Sequence, residues 1–230
     1  MHIPDGFIDA PVSVAAGVGA IAAVALSVRG AQREVVEASA PMAGLTAVFI
    51  FAAQMVNFPV GTGTSGHLIG AALAAILIGP YAAVLAMTVV LMVQALVFAD
   101  GGLSALGLNV LNLAVVAVVV GWFTFKGFQR VAPGGSGGIW LAAGMAGFLS
   151  VLGAAGAFVV EYALGGTVPL SLQTVTAAML GVHAVIGIGE GIITALVVTA
   201  VAKVRPDLVF GLRGKAQRDQ PTSVSSGVSA

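Results

Sequence analysis

The sequence predicts an all-α fold, a polytopic membrane bundle of seven transmembrane helices with its N-terminus outside and its C-terminus cytoplasmic. Three observations predict it. Of the 230 residues, 59% are apolar and 8% charged, with a mean hydropathy of +1.08, whereas soluble domains carry about 25% charged residues. Apolar runs approaching the ~20 residues needed to cross the hydrocarbon core recur along the chain. With seven spans, all nine Lys and Arg fall on one side, and the positive-inside rule makes that side cytoplasmic. Six spans would divide them.

Taken in order, the first run covers about Ala10 to Val28, and a polar loop with Arg29, Arg33, Glu34 and Glu37 follows. The second runs from about Ala40 to Val56, with Pro41 at its start, where proline is tolerated. A glycine-rich connection from Asn57 to Gly66 leads into a short third run, His67 to Gly79, that stops at Pro80. The fourth covers Tyr81 to Phe98 and breaks at Asp100-Gly101-Gly102. The fifth is about Ala105 to Phe125, followed by a basic, glycine-rich loop from Lys126 to Gly138. The sixth is Ile139 to about Tyr162, and the seventh runs from near Gln173 to near Val204. Residues 1–204 thus form one transmembrane domain, with 1–9 as a distinct N-terminal segment. The polar, Ser-rich stretch 205–230 reads as a cytoplasmic tail expected to be disordered. The first residues carry Asp5 and Asp9 rather than a basic lead, so the first run reads as a retained span and not a cleaved signal.

The 32 glycines suit close helix packing in lipid. The absence of cysteine excludes disulfides and thiolate metal sites, and a net charge of zero offers nothing to nucleic acid. No phosphate-binding loop is present, so ATP hydrolysis would have to be done by another subunit.

The chemistry concentrates at the start, Met1-His2-Ile3-Pro4-Asp5-Gly6-Phe7. The α-amine of Met1, the peptide nitrogen of His2 and its imidazole can close one five-membered and one six-membered chelate ring around a metal. Such an all-nitrogen planar set suits Ni(II) or Cu(II), and Co(II) can be forced into it. The plain alternative is a frayed terminus with a chance histidine. In the seven-span topology His67 shares the outer face with His2 and could supply a fourth nitrogen. The outer loops carry Asp5, Asp9 and Asp100, with Glu161 near the end of the sixth span, an acidic setting that attracts cations. Asn57, Thr64, Ser65 and Asn109 could accept the second N–H of the imidazoles, or bond neighbouring helices instead. His183 and Glu190 lie two turns apart on one face of the seventh helix, either as a supporting pair for the site or as a helix–helix hydrogen bond. Gln54 and Gln94 read as interhelical bonds. A competing enzyme reading takes Gly63-Thr64-Ser65-Gly66 as a nucleophile motif, giving an intramembrane serine protease with a Ser65–His183 dyad.

Three stretches together carry a resemblance. They are the first seven residues, Asn57-Phe58-Pro59 followed by Gly63-Thr64-Ser65-Gly66-His67-Leu68, and Phe98-Ala99-Asp100-Gly101-Gly102-Leu103 through Asn109. They resemble the CbiM/NikM family, the substrate-binding (S) components of energy-coupling-factor transporters for cobalt and nickel. The resemblance spans Met1 to about Val204 and departs from the family in the loop Val60-Gly61-Thr62-Gly63. It implies a seven-helix bundle whose N-terminal segment folds back in from the outside. It implies Co(II) or Ni(II) as the transported substrate, held by the Met1 amine, the His2 amide and ring, and His67. It also implies a transmembrane coupling (T) subunit, two ATPase subunits and often a small accessory membrane subunit, assembled in the plasma membrane of a prokaryote.

Overall fold

A chain with so few charges must satisfy its backbone internally, and helices do so segment by segment. The computed structural model describes residues 1–34, 40–59, 65–132 and 134–213, with Glu34, Phe58, Pro59 and Ser65 described by backbone alone. Among the described residues seven helices make up the bundle: α1 (Ala10–Glu34), α2 (Ala40–Gln54), α3 (Ala71–Ile78), α4 (Pro80–Val97), α5 (Leu106–Val131), α6 (Ser136–Gly165) and α7 (Leu172–Val204). Within α5 the segment Val110–Val116 is π-helical. Five of the seven, α1, α4, α5, α6 and α7, are long and apolar enough to cross a membrane.

The helices extend beyond the apolar runs. The α1 helix continues to Glu34 and so carries Arg29 and Arg33, while α5 continues to Val131 and carries Lys126 and Arg130. The third apolar run departs the other way. Only eight of its residues are helical, bounded by Gly70 and by Gly79, with Pro80 opening α4 in a first turn that needs no N–H. Every residue of α3 is buried. It is a short central peg touching α2, α4, α5, α6 and α7. Residues 67–70 are thereby left outside any helix, with His67 and Ile69 fully buried and Gly70 turning the chain into α3 at φ 79°.

Small residues set the helix spacing around this peg. A Cβ on Gly121 of α5 would lie 2.7 Å from Ala72 Cβ and 2.9 Å from Ala72 Cα on α3. Polar side chains in the bundle find partners across it. Ser150 Oγ donates to the Ala117 carbonyl at 2.8 Å, and Asn112 Nδ2, in the π-helical stretch, donates to Glu161 Oε2 at 2.7 Å.

Beside the head of α3, Phe58–Pro59 pairs antiparallel with Ser65–Gly66 and closes the connection between α2 and the central peg. At the far end of α7, Pro206–Leu208 and Phe210–Leu212 form short 3-10 turns. Part of the stretch read as tail therefore packs. Val209 and Leu212 are apolar and buried, and Lys126 Nζ donates to the Gly211 carbonyl at 2.7 Å. Residues 214–230, with Lys215 and Arg218, lie outside the described residues.

Gly121→Ala should lower the thermal unfolding midpoint of the purified protein, because its methyl meets backbone as well as side chain, and overpacking of this kind costs about 1–3 kcal/mol. An unchanged midpoint would show that α3 and α5 are not held at this distance.

Candidate metal centre

The first nine residues fold back into the bundle because four of them are apolar. Met1, Ile3, Phe7 and Ile8 are all buried. Each step of the segment is anchored. Asn109 grips the backbone of Ile3 from both sides, its Oδ1 accepting from the amide at 2.8 Å and its Nδ2 donating to the carbonyl at 3.2 Å. The same carbonyl accepts from Gly102 N–H at 2.9 Å. Here glycine is obligatory, since a Cβ on Gly102 would collide with the backbone of Pro4 and Asp5. Asp5 Oδ1 accepts from the amide and hydroxyl of Ser104, which hold its carboxyl below the usual carboxylate range. Phe7 packs against Phe158 and Tyr162 with ring centroids 5.8 Å apart in both cases. Asp9 then caps α1, its Oδ1 accepting from Val12 N–H at 3.0 Å.

This route delivers His2 onto His67. The two rings stack with centroids 4.5 Å apart and planes 27° from parallel, and both residues are buried. His67 Nδ1 lies 2.8 Å from the Leu68 carbonyl. A carbonyl only accepts, so Nδ1 carries the proton and Nε2 presents a lone pair. That Nε2 is buried and has no hydrogen-bond partner among the described residues. His2 Nε2 lies 3.2 Å from Gln94 Oε1 and Nδ1 lies 3.1 Å from Asp100 Oδ1. The neutral ring has one N–H to give, to Gln94 through Nε2 or to Asp100 through Nδ1; the tautomer that bonds Gln94 leaves the lone pair at Nδ1.

The chain on either side of His67 is clamped as firmly. Gln54 Nε2 donates to the Ile69 carbonyl at 2.6 Å. Glu190 on α7 accepts from the Ile69 amide at 2.6 Å and from the Gly70 amide through its other oxygen. His183 Nδ1 donates to Met179 O at 2.8 Å, which leaves a buried Nε2 lone pair without a partner among the described residues. His183 interacts electrostatically with the Met1 amine and with His67. The imidazoles and the chain terminus thus form one group.

Burial dominates the protonation of this group. It pushes the Met1 α-amine from 8.0 down to about 4, with the Asp100 carboxylate pulling weakly the other way. It lowers the His2 imidazole too, against the hydrogen bond to Asp100. Burial also works to raise Asp100, but the bond and charge of His2, helped by Asn57, more than offset it, and the carboxyl stays below its ordinary range. At neutral pH the pocket therefore holds neutral nitrogen donors beside one carboxylate. No group of three or more His, Cys, Asp or Glu side chains is arranged for a metal among the described residues. A metal here would have to use backbone nitrogen as well.

The residues singled out in the sequence are thereby placed. Met1, His2 and His67 come together, with His183 next to them. Among the described residues, neither Asn57 nor Asn109 hydrogen-bonds an imidazole. Asn57 Nδ2 donates to Asp100 Oδ2 at 2.9 Å, and Asn109 holds Ile3. Thr64 lies outside the described residues, as do the loop positions Val60 to Gly63 and the side chain of Ser65. The groups placed to receive an imidazole N–H are the Leu68 carbonyl at His67, and Gln94 and Asp100 at His2. Sequence reasoning read Gln94 as an interhelical bond and Asp100 only as part of a general acidic setting. The signal available was the pair of glycines following Asp100, which allows close approach of another backbone.

Fold and composition define a multi-pass membrane protein whose own N-terminal segment joins a buried, nitrogen-rich cluster of side chains. Residues 2–208 match the CbiM family model, described as a cobalt uptake substrate-specific transmembrane region. The chain belongs to this family of cobalt and nickel transport components. It is 44% identical over 212 residues to a protein of Haloquadratum walsbyi named for metal transport, covering 91% of this chain and 94% of that one. It is 34% identical over 243 residues to the fused nickel transport protein NikMN of Rhodobacter capsulatus, covering 100% of this chain and 70% of the relative. A crystal structure of a transition metal transporter superposes with a TM-score of 0.83 at 29% identity, over 95% of this chain and all of the other.

Asn109→Ala would strand the buried Ile3 amide, at a cost of about 1–3 kcal/mol. Hydrogen exchange at the His2 and Ile3 amides should accelerate while α6 and α7 keep their protection. Unchanged exchange at the N-terminal segment would show that Asn109 does not hold it.

Proposed function

We propose that this chain is the membrane S component of an ATP-driven energy-coupling-factor importer, and that it captures Co(II) or Ni(II) with high affinity. The ligands are the Met1 α-amine, the His2 peptide nitrogen, His2 Nδ1 and His67 Nε2. The observation that carries this reading is the stacked His2–His67 pair beside a buried chain terminus, with the other nitrogen of each ring tied to a carbonyl oxygen. Nδ1 is the ring atom that closes a six-membered chelate with the His2 peptide nitrogen, and it is the atom left over when Gln94 takes Nε2–H. Asn109, Gln94 and Asp100, together with Glu190 and Gln54 behind His67, hold these donors in place, as supporting groups around a metal commonly do. His183 stands behind the amine and His67.

The topology in this reading has seven spans, with the N-terminal segment entering from outside and the basic ends of α1, α5 and α7 in the cytoplasm of a prokaryotic cell. ATP hydrolysis falls to two partner ATPase subunits, joined to this chain by a transmembrane coupling (T) subunit and, in some assemblies, a small accessory membrane subunit. One ligand set serves nickel and cobalt alike, so discrimination rests on loop geometry and metal supply. The serine-protease reading finds no support in the family match.

One added residue ahead of Met1 removes the amine from its place. Titration of Ni(II) or Co(II) into that variant should show no tight binding, whereas the chain beginning at Met1 takes one equivalent. Tight binding by the extended variant would overturn the chelate. His2→Ala should lose the site as well, and Ser65→Ala should keep it.

Proton release supplies an independent reading of the ligands. An amine held at about 4 and a lowered imidazole are already neutral at pH 7, so only the peptide nitrogen gives up a proton. Calorimetric titration in buffers of differing ionisation enthalpy should find about one proton released per metal, with affinity rising about tenfold per pH unit near neutrality. Release of two or more would mean that the amine or the imidazole stays protonated in the metal-free protein.

A further inference from the structure

We infer that Asp100 supplies the counter-charge of the bound ion and sets the site's preference for a dication. The inference rests on the function proposed above and extends it to a residue outside the four nitrogens. The charge count is simple. The amine and the two imidazoles are neutral donors, and the metallated peptide nitrogen carries one negative charge. A divalent ion in that set leaves one positive charge in a pocket where Met1 is 1% exposed and His67 fully buried. An uncompensated charge in such a place is costly.

Asp100 is where the compensation lies. Its Oδ1 is 3.1 Å from His2 Nδ1, the ring atom proposed to bind the ion. Its side chain is 17% exposed, against 3% for His2, so it stands at the boundary between the pocket and water. It is also built in. Oδ2 accepts from Asn57 Nδ2 at 2.9 Å, and the Asp100 amide donates to the Gln94 carbonyl at 3.0 Å, while the Gln94 side chain holds His2. Two residues on, the Gly102 amide is bonded to Ile3. The carboxylate and the chelating segment are therefore fixed to one scaffold. With the amidate and Asp100 the site offers two negative charges, which balance a divalent ion and leave a monovalent one over-compensated. The carboxylate also gives an incoming hydrated cation an attraction that neutral nitrogens lack.

The alternative is that Asp100 only shapes the pocket through hydrogen bonds. Asp100→Asn keeps the shape and most of the hydrogen-bonding capacity and removes the charge. Asp100→Glu keeps the charge and changes the length. Titrating Ni(II) or Co(II) into purified full-length protein, Asp100→Asn should weaken binding about 100-fold, with slower association, and Asp100→Glu should stay within about tenfold of the parent. Binding by Asp100→Asn within threefold of the parent, or equal losses in both variants, would overturn the inference. If Asp100→Asn does not fold, Asp100→Glu against Asp100→Gln gives the same contrast at equal length. A parent protein that binds no metal would instead sink the proposed function, so the two failures are distinguishable.

Discussion

Everything near the site depends on burying a chain terminus that cannot stay charged there. An ammonium in a dry interior is one of the least favourable groups a protein can hold, and burial brings the Met1 amine down to about 4. A terminus kept neutral in this way keeps a lone pair on its nitrogen. It interacts electrostatically with His2, His67, His183 and the Asp100 carboxylate. The apolar side chains of Met1, Ile3, Phe7 and Ile8 provide the drive for insertion, and the backbone bonds to Asn109, Gly102, Thr167 and Gly165 give it one register.

The bundle serves this segment from two directions. The end of α4, the connection after it and the start of α5 contribute Gln94, Asp100, Gly102, Ser104 and Asn109 within a short length of chain, and all of them touch residues 2–5. From the other side, α2 and α7 send Gln54 and Glu190 to the backbone just after His67. The central peg α3 begins where those bonds end. Its eight buried residues tie His67 to the packed middle of the bundle, so the histidine is set by the core and not by a surface loop.

Much of this was legible in the sequence. Apolar runs placed all seven helices to within a few residues at most ends, because few charges interrupt them and each interruption is polar or glycine-rich. The motif at residues 1–7 and His67 pointed to the residues that the fold brings together, and the matched family is the one they resemble. Other features were not legible. The shortness of α3 depends on Gly70 and on clamps from Gln54 and Glu190, residues distant in sequence. The continuation of α1 and α5 through Arg29, Arg33, Lys126 and Arg130 is invisible to an apolarity scan, since long basic side chains extend a helix past the hydrocarbon as readily as they begin a loop. Asn109 reads in the sequence as a possible partner of an imidazole, but the partner the fold gives it is the backbone of Ile3, 106 positions away and not readable from sequence. Asp100 reads as part of an acidic outer setting and of a resembling stretch, but its pairing with His2, 98 positions away, is not readable from sequence.

The most direct measurement is X-ray absorption spectroscopy of the protein loaded with one equivalent of Ni(II), in the form that begins at Met1. Four nitrogen neighbours in a planar arrangement, with imidazole scattering, is the expected result. A six-coordinate shell of oxygen neighbours would contradict a site built from the chain terminus, His2 and His67.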